Sequence, residues 1–136
     1  MKKILPGLIA AMLLTSGCIH PDPDPVVLAD STPQLSIQGR LLFRYEESSC
    51  QLGFNRDRAE FRMHTDNMSD YVFVTLDHIP SSVGEKVIAN DMSWTTADDV
   101  EYRIKLILEV LKLEDGNIWL WSSRERISLV IRELGS

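Results

Sequence analysis

The fold turns on residues 100–116, VEYRIKLILEVLKLEDG. Val100, Tyr102, Ile104, Leu106, Leu108 and Val110 alternate with Glu101, Arg103, Lys105, Ile107, Glu109 and Leu111, so one face of an extended chain is wholly apolar. Successive side chains of a strand point to opposite faces, and this period of two is what a half-buried strand requires. Asp115-Gly116 then offers two positions that tolerate positive φ, the chemistry of a two-residue type I′ hairpin. The competing reading is a helix over 97–114. Thr96 with Asp99 would form its capping box, Glu101, Lys105, Glu109 and Lys112 its polar stripe, and Gly116 its stop. Strict alternation decides for strand, with an α+β fold carrying that helix as the alternative.

Outward from this stretch the same period recurs. Ile118 to Trp121 and Ile127 to Leu134 supply two strands after the Asp-Gly turn, separated by Ser122, Ser123 and Arg124. Upstream, Lys86 to Thr95 is a strand candidate that contains Trp94, and Tyr71 to Ile79 is β-branched and aromatic between Thr65-Asp66-Asn67 and Pro80-Ser81-Ser82. Ala59, Phe61 and Met63 alternate with Arg58, Glu60, Arg62 and His64. Leu35, Ile37, Leu41, Phe43 and Tyr45 fall opposite Gln38, Arg40, Arg44 and Glu46 in what reads as one further extended segment. The expectation is an all-β domain over 35–136, a single small sandwich or barrel of about seven mostly antiparallel strands.

The segment before the domain has another character. IHPDPDPVVLADSTPQ, residues 19–34, carries prolines at 21, 23, 25 and 33 with Asp22 and Asp24 between the first three. Proline withholds a backbone donor and fixes φ, so this segment reads as an extended spacer rising about 3.1 Å per residue.

The first seventeen residues have the layout of an export signal: Lys2 and Lys3, an apolar run from Ile4 to Leu14, then Thr15, Ser16 and Gly17. The run is shorter than the roughly 20 residues needed to span a bilayer as helix. Leu14-Thr15-Ser16-Gly17-Cys18 resembles the lipobox of bacterial lipoproteins, with Thr15 where the commonest pattern has leucine. The resemblance covers the leader alone. It implies cleavage between Gly17 and Cys18, a diacylglyceryl thioether on Cys18 and acylation of the new amine. It further implies a membrane as partner through the lipid. Ile19, in place of an aspartate after the cysteine, resembles the outer-membrane sorting pattern of Gram-negative lipoproteins, and the aspartates of the spacer loosely resemble surface-export signals.

Cleavage at that bond leaves 119 residues with 12 basic and 20 acidic side chains, a formal charge of −8. That balance argues against nucleic acid as a partner, since phosphate binding draws on clustered Lys and Arg. With Cys18 consumed, Cys50 is the single remaining thiol and has no intramolecular disulfide partner.

Few residues invite chemistry. Cys50 lies in an acidic stretch, Glu46-Glu47-Ser48-Ser49-Cys50, near an expected turn, and would need His64 or His78 as a base. His64, Asp66, Asp70, Asp77 and His78 lack the spacing of a calcium loop or a zinc site, so no metal and no cofactor is expected. The stronger hint is aromatic. Trp119 and Trp121 project from one face of a strand whose other face carries Ile118 and Leu120, so both faces need cover. One layer is core; the other is a second layer of the domain or, together with Trp94, a platform for a glycan or protein partner, with Arg124, Arg126 and Arg132 at its rim. The sequence therefore points to a non-catalytic envelope module, with a carbohydrate-binding module as the alternative and a Cys50 hydrolase behind both.

Overall fold

The computed structural model describes residues 28–95 and 98–135. The export signal, Cys18 and the first part of the spacer lie outside the described residues. Nine strands form one sheet: β1 (Gln34–Ile37), β2 (Arg40–Arg44), β3 (Cys50–Asn55), β4 (Glu60–Thr65), β5 (Tyr71–Leu76), β6 (Lys86–Thr95), β7 (Glu101–Glu114), β8 (Asn117–Ser122) and β9 (Ile127–Arg132). Every pairing is antiparallel, and the order is β2-β1-β9-β8-β7-β6-β5-β4-β3. The domain is all-β, with no helix among the described residues.

The residues that competed as helix form β7, fourteen residues long, and Asp115 and Gly116 turn it into β8 with φ of 54° and 84°. The count of about seven strands is corrected to nine at two places. The segment from Leu35 to Tyr45 is a hairpin rather than one strand, because Gln38 and Gly39 adopt φ of 52° and 80° and fold β2 back on β1. Cys50 directly follows a turn at 47–49 and begins a further strand: Cys50, Leu52 and Phe54 share one face of β3, and Cys50 is buried.

The topology dictates the curl. β2 and β3 are the two edges of the sheet, yet only Tyr45 to Ser49 join them. A flat nine-stranded sheet would hold its edges about 38 Å apart at 4.8 Å per strand, whereas a five-residue link reaches about 20 Å. The sheet must roll into a half-barrel. It does not close, for a directional reason. Nine antiparallel strands leave the two edges running parallel, and a parallel pair needs a crossover of about a dozen residues. Extra residues in one strand of a pair, at Leu42, near Asn90 and at Leu111, sharpen the bend and switch which side chains face inward.

The inner face is the core. Phe61, Val72, Val74, Leu106, Leu108, Val110, Ile118, Leu120 and Leu129 all lie there, buried from solvent. Near the end of β9 the roll brings Ile131 over Leu52, Phe61 and Met63, and Arg56 reaches Glu133 at 2.7 Å. Trp119 and Val130 belong to a separate outer cluster with Leu111.

Candidate functional site

The three tryptophans occupy three different settings. Trp119 and Trp121 do share the outer face of β8, with Ile118 and Leu120 inward. Trp119, however, is fully buried on that face, because the end of the expected spacer is laid across it. Its indole N–H donates to the carbonyl of Asp30 at 3.1 Å, the Lys112 ammonium lies 4.9 Å from its ring centroid, and Lys112 also donates to the Leu28 carbonyl. Asp30 ties the segment down further. Its carboxylate accepts from Arg44 at 2.7 Å and from the Thr32 and Gln34 nitrogens. The Arg44 guanidinium, with the Thr32 N–H second, holds the Asp30 carboxyl well below the usual carboxylate range. Arg132 completes the clasp through the Ser31 carbonyl and Asn117. Residues 28–33 are thus packed onto the sheet rather than extended away from it.

Trp121 is half-buried and borders a surface groove of about 340 Å³. Register places Trp121 opposite Glu109 of β7, and Ile107 lies beside it, exposed on the same face. Lys86, Lys105 and Arg124 bring three positive charges to the groove, Glu109 and Glu125 two negative ones, and Ser122 and Ser123 two hydroxyls. Lys86 meets Glu109 at 3.8 Å and Arg124 meets Glu125 at 4.0 Å, long contacts that leave donors and acceptors free for a ligand. The rim is shaped by the turn from β8 to β9. Ser122 and Glu125 bond reciprocally, Glu125 N–H to Ser122 Oγ at 3.3 Å and the Ser122 hydroxyl to the Glu125 carboxylate, so the turn is self-braced. Arg126 takes φ of 57° there, and its carbonyl accepts from the Gln38 N–H at 2.7 Å, fastening this turn to the β1–β2 hairpin.

Trp94 faces inward at one end of the roll, stacked with Tyr102 at 5.7 Å. It borders a cleft separate from the Trp121 groove. A platform of Trp94, Trp119 and Trp121 acting together is not assembled, since each meets a different surface. Of the three arginines expected at a rim, Arg124 alone lines the groove; Arg132 belongs to the clasp over Trp119.

The other candidates are dispersed. Cys50 pairs with Thr65 while His64 pairs with Gln51, so Cys50 and His64 lie on opposite faces of the sheet. The His64 ring instead meets its neighbour's carbonyl, Thr65 O, at 2.8 Å. His78 is in the loop after β5, at the far end from Cys50, with its ring nitrogens 3.0 Å from Asp77 and 2.9 Å from Glu85. No group of three or more His, Cys, Asp or Glu is arranged for a metal ion among the described residues. The groove is missed by sequence reasoning as a unit because Lys86, Lys105 and Arg124 come from three elements. No local signal marks it: counted from the Asp115-Gly116 turn Trp121 would fall opposite Val110, and the extra residue at Leu111 sets it opposite Glu109 instead. Compared with protein-family models, with curated proteins and with solved structures, the chain matches none.

Proposed function

We propose that this protein is a non-catalytic binding module of the cell envelope, held by a lipid on Cys18 to the outer membrane of a Gram-negative bacterium, and that it takes a saccharide chain in the groove over Trp121. The observation that carries the reading is the half-buried indole of Trp121 beside mixed charges and hydroxyls in a groove of about 340 Å³. A sugar ring has an apolar C–H face that packs on an aromatic ring, and hydroxyls around its edge that both donate and accept. Lys86, Lys105 and Arg124 donate, Glu109 and Glu125 accept, and the Ser123 hydroxyl does both. The volume falls at the lower end of the roughly 300–1,000 Å³ of small-ligand sites, which suits one or two sugar units of a longer polymer.

The lipobox-like leader supports the anchor, and the clasp over Trp119 supports a domain carried close behind the acidic spacer. Mass spectrometry of the mature protein tests the first: an unmodified Cys18 refutes it. Titration with envelope oligosaccharides, followed by tryptophan fluorescence, tests the second. A shift that disappears in Trp121→Ala is expected; a shift that survives that change removes the groove as the site.

A protein partner is a second reading, favoured by one feature. Ile88 and Ile107 pair directly across β6 and β7 on the outer face, 37% and 59% exposed, beside the groove. Crosslinking from Ile107 to another envelope protein, with no saccharide response, selects it.

A further inference from the structure

At the end of the roll where β6 turns into β7, the inner face opens into a cleft of about 310 Å³ lined by Ile37, Gln38, Arg40, Leu42, Trp94 and Tyr102. Its two walls come from elements that do not pair with one another, the β1–β2 hairpin on one side and the β6–β7 strands on the other. The interior is apolar. Trp94 is 6% exposed, Ile37 and Leu42 pack against the core, and Tyr102, stacked on Trp94, is 48% exposed at the opening. One lining residue is charged, Arg40, and it forms no ion pair among the described residues. An apolar slot with a single uncommitted guanidinium is the complement of a molecule with an aliphatic body and one anionic head.

We infer that this cleft binds a free single-chain anionic amphiphile, its tail against Trp94, Tyr102, Ile37 and Leu42 and its carboxylate on Arg40. At about 30 Å³ per water the cleft replaces roughly ten waters, room for a chain of about ten heavy atoms. The inference stands apart from the saccharide groove, which shares none of these residues.

Photo-crosslinking of the mature, membrane-held protein with a diazirine-bearing decanoate, followed by peptide mapping, tests it. Label is expected on the peptides carrying Ile37 to Leu42 and on those carrying Trp94 or Tyr102. Excess decanoate should displace it, whereas decyltrimethylammonium, with the same tail and the opposite charge, should not. Arg40 is exposed and forms no ion pair among the described residues, so Arg40→Gln should fold as the parent does and label about tenfold less at equal probe concentration, the scale of one charge-assisted hydrogen bond. Trp121→Ala should label normally. Label confined to other surfaces, equal displacement by the cationic amphiphile, or undiminished labelling of Arg40→Gln would each overturn the inference.

Discussion

The indole N–H of Trp119 donates to the backbone oxygen of Asp30 at 3.1 Å, joining residues 89 positions apart across the outside of the sheet. This bond turns the last residues of a proline-rich spacer into part of the fold. It also means that the most buried tryptophan of the chain lies outside the main core.

Trp119→Ala should therefore cost about 3–5 kcal/mol in urea unfolding, since it empties a packed outer layer and frees residues 28–32. Trp121→Ala, which removes a half-buried ring from a groove, should cost about 1 kcal/mol or less. Equal losses for the two variants would contradict the different burial found for them.

Two glycines at hairpin turns should respond differently to alanine. Gly116 has φ of 84°, and a Cβ there would lie 2.9 Å from the Glu133 carbonyl oxygen. Gly39 has φ of 80° with nothing within 4 Å. Gly39→Ala should cost about 1 kcal/mol, the backbone strain alone, and Gly116→Ala about 2–3 kcal/mol because backbone must also move. Thermal or urea unfolding of both variants checks the order.

The loop between β5 and β6 should carry a pH signature. His78 is raised above its ordinary value, chiefly by its contact with Glu85 and secondarily by Asp77. Glu85 is pulled down to about 2, first by the Ser81 N–H and then by His78, with Ser82 adding to it. A raised histidine stabilises fully below about 6.5 and loses that contribution as pH climbs through its folded value. A depressed carboxylate stabilises above its ordinary value of 4.5 and loses its contribution as pH falls towards 2. The loop is held best between about 4.5 and 6.5. In an NMR titration the His78 midpoint should lie above 6.5, and Glu85→Gln should bring it down; an unmoved midpoint would rule out the contact as the cause.

The open seam should show in hydrogen exchange. Amides on the free edges of β2 and β3 should exchange by openings of near-zero free energy, and those of β8, paired on both sides in the middle of the sheet, by global unfolding. Protection of β2 and β3 equal to that of β8 would mean the barrel closes in solution.

Much of this architecture was legible because its signals are local. The alternation over β7 and the Asp115-Gly116 pair identify a hairpin from neighbouring residues alone. The same rule identifies Ile118 and Leu120 as one face and Trp119 and Trp121 as the other. Two further elements rest on equally local patterns. Cys50, Leu52 and Phe54 alternate with Gln51, Gly53 and Asn55, which marks β3, and Gln38-Gly39 is a turn pair, which divides β1 from β2. Their signals are weak because β3 is short and carries a glycine, and because glutamine seldom takes positive φ.

What the sequence by itself determined is the secondary structure and its two-faced pattern, since strand periodicity and turn chemistry are properties of adjacent residues. Tertiary structure alone decided what covers each face. Trp119 was buried by a segment 89 residues away, Trp121 was left beside a groove, and Trp94 was placed at an open end. The reason is physical. Alternation says that a face is apolar, whereas cover depends on which distant backbone the curl of the sheet brings against it, and that curl follows from a five-residue link between parallel edges that cannot pair.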